Sequence, residues 1–207
     1  MAERLTIEVV SDVICPWCYI GKRRLEKALA LLDGEVQPEI RWLPFQLNPD
    51  MPREGMPRAE YRSRKFGSLE RGRSLDARVV AEGADEGIAF AFERIARTPN
   101  TVAAHQLIAL AQNQGVGACV VDALFRAYFE QAQDVGDAGL LERIAGECGV
   151  KNWPQAADAA QVAELEASMR GLGISAVPTF IFNRKLGVSG AHPPESLAEA
   201  MREALAK

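Results

Sequence analysis

The run Cys15-Pro16-Trp17-Cys18 stands where one hydrophobic period gives way to another. Before it, Leu5, Ile7 and Val9 alternate with other residues and Val10 follows, the pattern of a strand with one strongly buried face. After it, Cys18, Leu25, Leu29 and Leu32 share one helical face, while Lys22, Arg23, Glu26 and Lys27 lie elsewhere. Asp33-Gly34 ends that helix. Residues 36–47, with Ile40, Trp42 and Leu43, read as a second strand. Strand, helix and strand at these lengths make a βαβ unit, with the cysteine pair at the turn from the first strand into the helix.

The next stretch reads as helix after helix, with candidates over 59–73, 75–86, 101–114, 119–131 and 138–148. The 119–131 segment is apolar almost all round and is expected to be buried. Pro154 is suited to open one more helix, running to about Met169. Strands then return. Thr179–Phe182 and Leu186–Ser189 flank Asn183-Arg184-Lys185 as a hairpin, and Pro193-Pro194 precede a last amphipathic helix with Leu197, Met201, Ala204 and Leu205. The expected fold is α/β: a thioredoxin-like βαβ–ββα mixed sheet, formed by residues 1–52 and 173–207, carrying an all-helical insertion over 53–172.

At 207 residues with 48% hydrophobic and 25% charged side chains, the chain can bury a core without staples. A net charge of −4 gives a nucleic-acid role no global electrostatic support. No apolar run approaches the ~18 residues of a membrane span. Met1-Ala2-Glu3-Arg4 leads straight into the first strand, without the apolar segment of a secretory signal, so the expected location is cytoplasmic. A secreted chain with its signal already removed is the competing possibility. In a reducing cytoplasm four cysteines do not read as a disulfide framework, and a close pair is catalytic or metal-binding.

Placement favours catalysis. Pro16 fits the first helical position, which makes Cys15 the N-cap. The free N–H groups and the positive end of the helix dipole meet there, and they stabilise a thiolate. A stabilised thiolate is both more abundant as attacker and a better leaving group. Cys18 lies one turn on, within disulfide reach, and opens the apolar stripe; it should be less exposed and act as the resolving thiol. Zinc needs four ligands, and the remaining His105, His192, Cys119 and Cys148 form no ligand pair, so no metal is expected. Inert structural cysteines are a poor reading of a Pro-Trp insert at a helix start.

The runs Ser11-Asp12-Val13-Ile14-Cys15-Pro16-Trp17-Cys18 and Pro44-Phe45-Gln46-Leu47-Asn48-Pro49-Asp50-Met51-Pro52 carry a resemblance. So do Asn100-Thr101 with Ala104-His105, Ala176-Val177-Pro178-Thr179-Phe180, and Ser189-Gly190-Ala191. Together they resemble the DsbA-like branch of the thioredoxin superfamily, and within it the FrnE-like oxidoreductases. The cousins of these are the 2-hydroxychromene-2-carboxylate isomerases and kappa-class glutathione transferases. The resemblance spans essentially the whole chain. It implies a cis Val177–Pro178 peptide opposite the cysteines, where physical reasoning alone favours a trans proline that starts a strand. It implies that Pro16, Trp17, Val177 and Pro178 flank the substrate, with the Val177 backbone pairing to an extended peptide or thiol. It also brings His105 toward the site, where helix position alone suggests a packing residue.

Cys119 and Cys148 read as buried free cysteines acting as small hydrophobes, with a disulfide between them or a regulatory role as alternatives. Arg53, Arg58, Arg62, Arg64, Lys65, Arg71 and Arg73 read as a solvated helix face, with the steering of an anionic partner such as glutathione as the alternative. Gly171-Leu172-Gly173-Ile174 lacks the strand and helix of a phosphate loop. The expected activity is thiol–disulfide exchange with protein or small thiols, needing no cofactor beyond glutathione as a possible reductant or ligand. The rival is a glutathione-dependent isomerase or transferase, whose relatives carry serine in place of Cys15. A third reading is a redox-sensing binding module without turnover. Composition does not choose between monomer and homodimer.

Overall fold

The computed structural model describes residues 2–207. β1 (Glu3–Ser11) leads into α1 (Pro16–Ala30) and β2 (Val36–Pro44). Then come β3 (Met56–Pro57), α2 (Arg58–Phe66), α3 (Leu69–Asp85), β4 (Arg97–Thr98), α4 (Val102–Asn113), α5 (Gly117–Phe129), α6 (Ala138–Glu147) and α7 (Ala159–Gly171). β5 (Thr179–Phe182), β6 (Leu186–Ser189) and α8 (Pro194–Ala206) close the chain.

The main sheet has the order β2-β1-β5-β6, with β1 parallel to β2 and antiparallel to β5, the mixed sheet expected. β1 is central and buried on both faces: Leu5, Ile7, Val9 and Val10 are all buried. Glu8 is buried with them, and the Arg184 guanidinium in the β5–β6 turn reaches its carboxylate at 2.8 Å. α1 and α8 pack together against the sheet. The larger of two buried clusters runs from β1 and α1 into α4, α5 and α6, and a smaller one gathers Val10, Leu43, Phe45 and Met169. Its seam is aromatic: Tyr19 of α1 stacks on Phe125 of α5 at 5.1 Å between ring centroids.

Several expected boundaries shift, each for a local reason. α2 stops at Gly67, whose φ of 83° ends the helix, and Ser68 caps α3 by accepting the Arg71 N–H; the break therefore falls at 67–68 and not at 74. β2 stops at Pro44: the Phe45 N–H still donates to Ser11 O at 3.0 Å, but the two amides after it turn away from β1. Gln46 N–H goes to Glu166 and Leu47 N–H to the Asp12 carboxylate. Pro154 does not open a helix: it follows Trp153 in a cis peptide, and α7 starts after Asp158, which accepts the Gln161 N–H. The two-residue strands β3 and β4 pair with each other and are too short to leave a period in the sequence.

Cys119 and Cys148 are not free. They form a disulfide joining the start of α5 to the C-cap of α6, with Cα atoms 5.8 Å apart. Cys119 is exposed, on the opposite side of the first turn of α5 from the buried Gly117 and Val120. Helical periodicity places a cysteine on a face but does not say which second cysteine stands opposite, so the sequence offered this disulfide only as an alternative to two buried free cysteines.

Candidate functional site

β1 ends at Ser11, and a four-residue turn delivers Cys15 to the N-cap of α1. The Cys15 N–H donates to Asp12 O at 3.0 Å, the Cys15 carbonyl accepts from Cys18 N–H at 3.0 Å, and Pro16 fills the first helical turn. The backbone at Cys15 is extended (φ −90°, ψ 112°), and its side chain caps no N–H of its own helix. The Cys15 thiol reaches the Val177 carbonyl at 3.7 Å.

Cys18 lies beneath, and both cysteines are reduced. The expected order of exposure holds, but narrowly: Cys15 is 4% exposed and Cys18 1%, so neither sulfur is open to bulk solvent. Burial pushes the Cys18 thiol well up, and hydrogen bonding and charge from Cys15 push the same way. The Asp12 backbone and Ser11 side chain oppose this in part. The pair is thus asymmetric, with Cys18 held as the protonated partner.

The wall facing Cys15 is the turn before β5. Val177–Pro178 is a cis peptide, as the family resemblance implied. Gly190 N–H donates to Pro178 O at 2.8 Å, and the Thr179 hydroxyl donates to Ala176 O at 2.8 Å, so the turn is fixed at both ends. α1 approaches it through Gly21: a Cβ there would lie 2.9 Å from Pro178 Cγ and 3.1 Å from Phe180 Cζ.

A groove of about 400 Å³ opens on Cys15, with Pro16, Trp17 and Val177 at its edge. Four of the expected site residues therefore meet around one cavity, and Pro178 is buried behind Val177. His105 does not line it. It is buried on α4 behind the cysteine turn, its Nε2 3.5 Å from Asp12 Oδ1, and neither atom makes a hydrogen bond. The packing reading of a helix histidine describes that place better than a groove-facing one.

The far side of the groove was not foreseen. Arg58 and Arg62 of α2 both reach Asp76 of α3, at 3.3 and 2.7 Å. Their side chains are only 12% and 13% exposed, so they are not part of a solvated face, unlike Arg64 and Arg73. Burial holds the Arg62 guanidinium below its usual range and raises the Asp76 carboxyl. Thr98, wholly buried, lines the same cavity beside Tyr128. The available signal was the i, i+4 spacing of Arg58 and Arg62, but their shared carboxylate lies on another helix. Among the described residues no group of three or more His, Cys, Asp or Glu side chains comes together as a metal site, and no helix is long and apolar enough to cross a membrane.

Comparisons with known proteins agree with this architecture. A probable DsbA oxidoreductase from Streptomyces coelicolor is 30% identical and superposes with a TM-score of 0.87, covering 98% of this chain and 91% of its own. The cytosolic disulfide reductase DsbM from Pseudomonas aeruginosa shares the fold at 16% identity, with a TM-score of 0.65 over 97% of this chain and 95% of its own. A 2-hydroxychromene-2-carboxylate isomerase shares it at 14% identity, with a TM-score of 0.66 over 97% and 96%. The family model for the DSBA-like thioredoxin domain matches residues 6–202, and the chain belongs to that family.

Proposed function

We propose that this protein is a thiol–disulfide oxidoreductase working through Cys15 and Cys18. The observation that carries the reading is the asymmetry of the pair. Cys15 sits at a helix N-terminus with its sulfur facing Val177 O, while Cys18 is buried one turn on with its thiol pushed up. In this reading the Cys15 thiolate attacks a substrate disulfide, forming a mixed disulfide and releasing one substrate thiol. Cys18 then loses its proton and attacks the Cys15 sulfur, closing Cys15–Cys18 and releasing the second thiol. The reverse sequence hands the disulfide on. Neither half-reaction needs a metal or organic cofactor. Pro16, Trp17, Val177 and Pro178 would bound the substrate, with His105 in a packing role behind them.

Residues 1–52 and 173–207 would carry the exchange chemistry, and residues 53–172 would select the partner, a protein or a small thiol. A cytoplasmic setting belongs to the same reading, and the Cys119–Cys148 disulfide is the feature that strains it. The second reading, a glutathione-dependent isomerase, draws on the basic side chains that share the Cys15 groove.

A glutathione redox titration tests the proposal: equilibrate, acid-quench, alkylate, and read the Cys15–Cys18 peptide by mass spectrometry. A reversible two-electron transition is expected, and its midpoint separates a net oxidant from a reductant. A pair that never closes, or that stops as a stable glutathione adduct, would favour the isomerase. Cys18→Ser separates the two readings as well, since it traps mixed disulfides only under an exchange cycle.

A further inference from the structure

The groove beside Cys15 holds an electrostatic imbalance. Arg58 and Arg62, both largely buried, share the single Asp76 carboxylate. Arg62 also donates to Gly72 O, and Arg58 lies over the Phe92 ring at 5.2 Å, so other contacts hold the guanidiniums but no second anion neutralises them. Lys65 and Arg78 add two more cations to the lining, and Asp76 is its only carboxylate. This stands in a chain whose net charge is −4. A largely buried cation without its own counter-ion is costly, and a ligand carboxylate would remove that cost. Deeper in the cavity, the Thr98 hydroxyl is fully buried and has no hydrogen-bond partner. The adjacent Tyr128 hydroxyl instead donates to Arg97 O at 3.3 Å. Buried hydroxyls are almost always bonded, so this one is an open position for a ligand atom. Apolar and aromatic side chains, including Trp17, Phe66 and Phe129, line the rest of the cavity.

We infer that the groove selects low-molecular-weight disulfides that carry carboxylates, binding the acid at Arg58 and Arg62 while Cys15 attacks the sulfur. The inference rests on the exchange reading above and narrows its substrate class. A cavity of about 400 Å³ suits a ligand the size of a short peptide, not an extended polypeptide. In the step itself, Cys15 forms a bond to one sulfur of RS–SR, the RS–SR bond breaks and RS⁻ leaves. Cys18 then closes the pair and expels the second RS⁻. The two protons given up by Cys15 and Cys18 end on the two released thiols.

The test is the rate at which the reduced protein closes Cys15–Cys18, single turnover, read by quenched alkylation. The probes are 3,3′-dithiodipropionate, L-cystine, oxidised glutathione and the neutral 2-hydroxyethyl disulfide. In free solution a thiolate repels an anionic disulfide, so a preference for the acids reverses the intrinsic order. Wild type is expected to favour at least one acid by about tenfold over the neutral probe, less so as salt rises. Whichever acid is fastest separates a simple propionate from an amino acid or a glutathionyl group. Arg62→Met should bring the ratio of acid to neutral rates toward one, and Thr98→Val should lower it by a smaller factor. A wild-type ratio at or below one overturns the inference, whether or not the variants fold. So does a ratio unmoved by Arg62→Met, or an unfolded acidic protein disulfide that outruns every small probe. Closure with no disulfide at all would instead remove the exchange reading, and the inference with it.

Discussion

The chain holds two cysteine pairs with opposite characters. Cys15 and Cys18 are three residues apart, open, and set where a strand turns into a helix. Cys119 and Cys148 are 29 residues apart, closed, and tie α5 to α6. The first pair restricts the unfolded chain little when it bonds, so its closure is governed by the groove and the helix terminus. The second closes a long loop, which in the chain-entropy account stabilises the fold by roughly 3–4 kcal/mol for a separation of 29 residues. Spacing thus separates a pair whose closure restricts the unfolded chain little from a pair that staples.

The comparison can be broken in five ways. The largest expected effect is on exchange: Cys15→Ser abolishes closure of the pair and should lower the disulfide-transfer rate by about a thousandfold or more, because the attacking sulfur is gone. The Cys119→Ser/Cys148→Ser double variant should leave that rate within about twofold while losing roughly 3–4 kcal/mol of stability to urea. A double variant that also slowed exchange would show that the two regions are coupled through α5.

Next comes Gly21→Ala. The new methyl would press on Pro178 Cγ at 2.9 Å, within a packed contact, and should cost about 1–3 kcal/mol. It should also slow exchange by moving Val177 away from Cys15, and unchanged kinetics would mean that the Val177 wall does not matter. The smallest effect is in pH. Burial raises the Cys18 pKa in the folded protein, so its neutral thiol is the favoured form. That contribution to stability is fully present below the ordinary thiol value of about 8.5 and is lost as pH rises toward the raised folded value. Reduced protein should therefore lose stability above about pH 8.5 relative to Cys18→Ala, measured by urea unfolding. At neutral pH iodoacetamide should label Cys15 and spare Cys18; equal labelling would end the asymmetry.

The elements bearing the first pair were legible because their signals are local. Alternation through Leu5, Ile7 and Val9 marks β1, Pro16 marks a helix start, and the stripe from Cys18 to Leu32 marks the buried face of α1. The hairpin about Asn183-Arg184-Lys185 was equally plain. Val177–Pro178 was found through family likeness, since nothing in a dipeptide reports what it faces. The Arg58–Asp76–Arg62 cluster was missed because it joins two helices whose separate patterns look like ordinary solvated faces. His105 drew attention by its motif but packs against Asp12, behind the groove.

By itself the sequence determined the order of elements, the mixed α/β core and a cysteine pair at a helix N-terminus, because hydrophobic period, caps and turn residues act over a few positions. Tertiary structure decided which cysteine meets Cys119, how deeply Cys15 is covered and which cations surround it. Those outcomes depend on contacts between segments tens of residues apart, set by how the helices pack over the sheet and not by any short pattern within them.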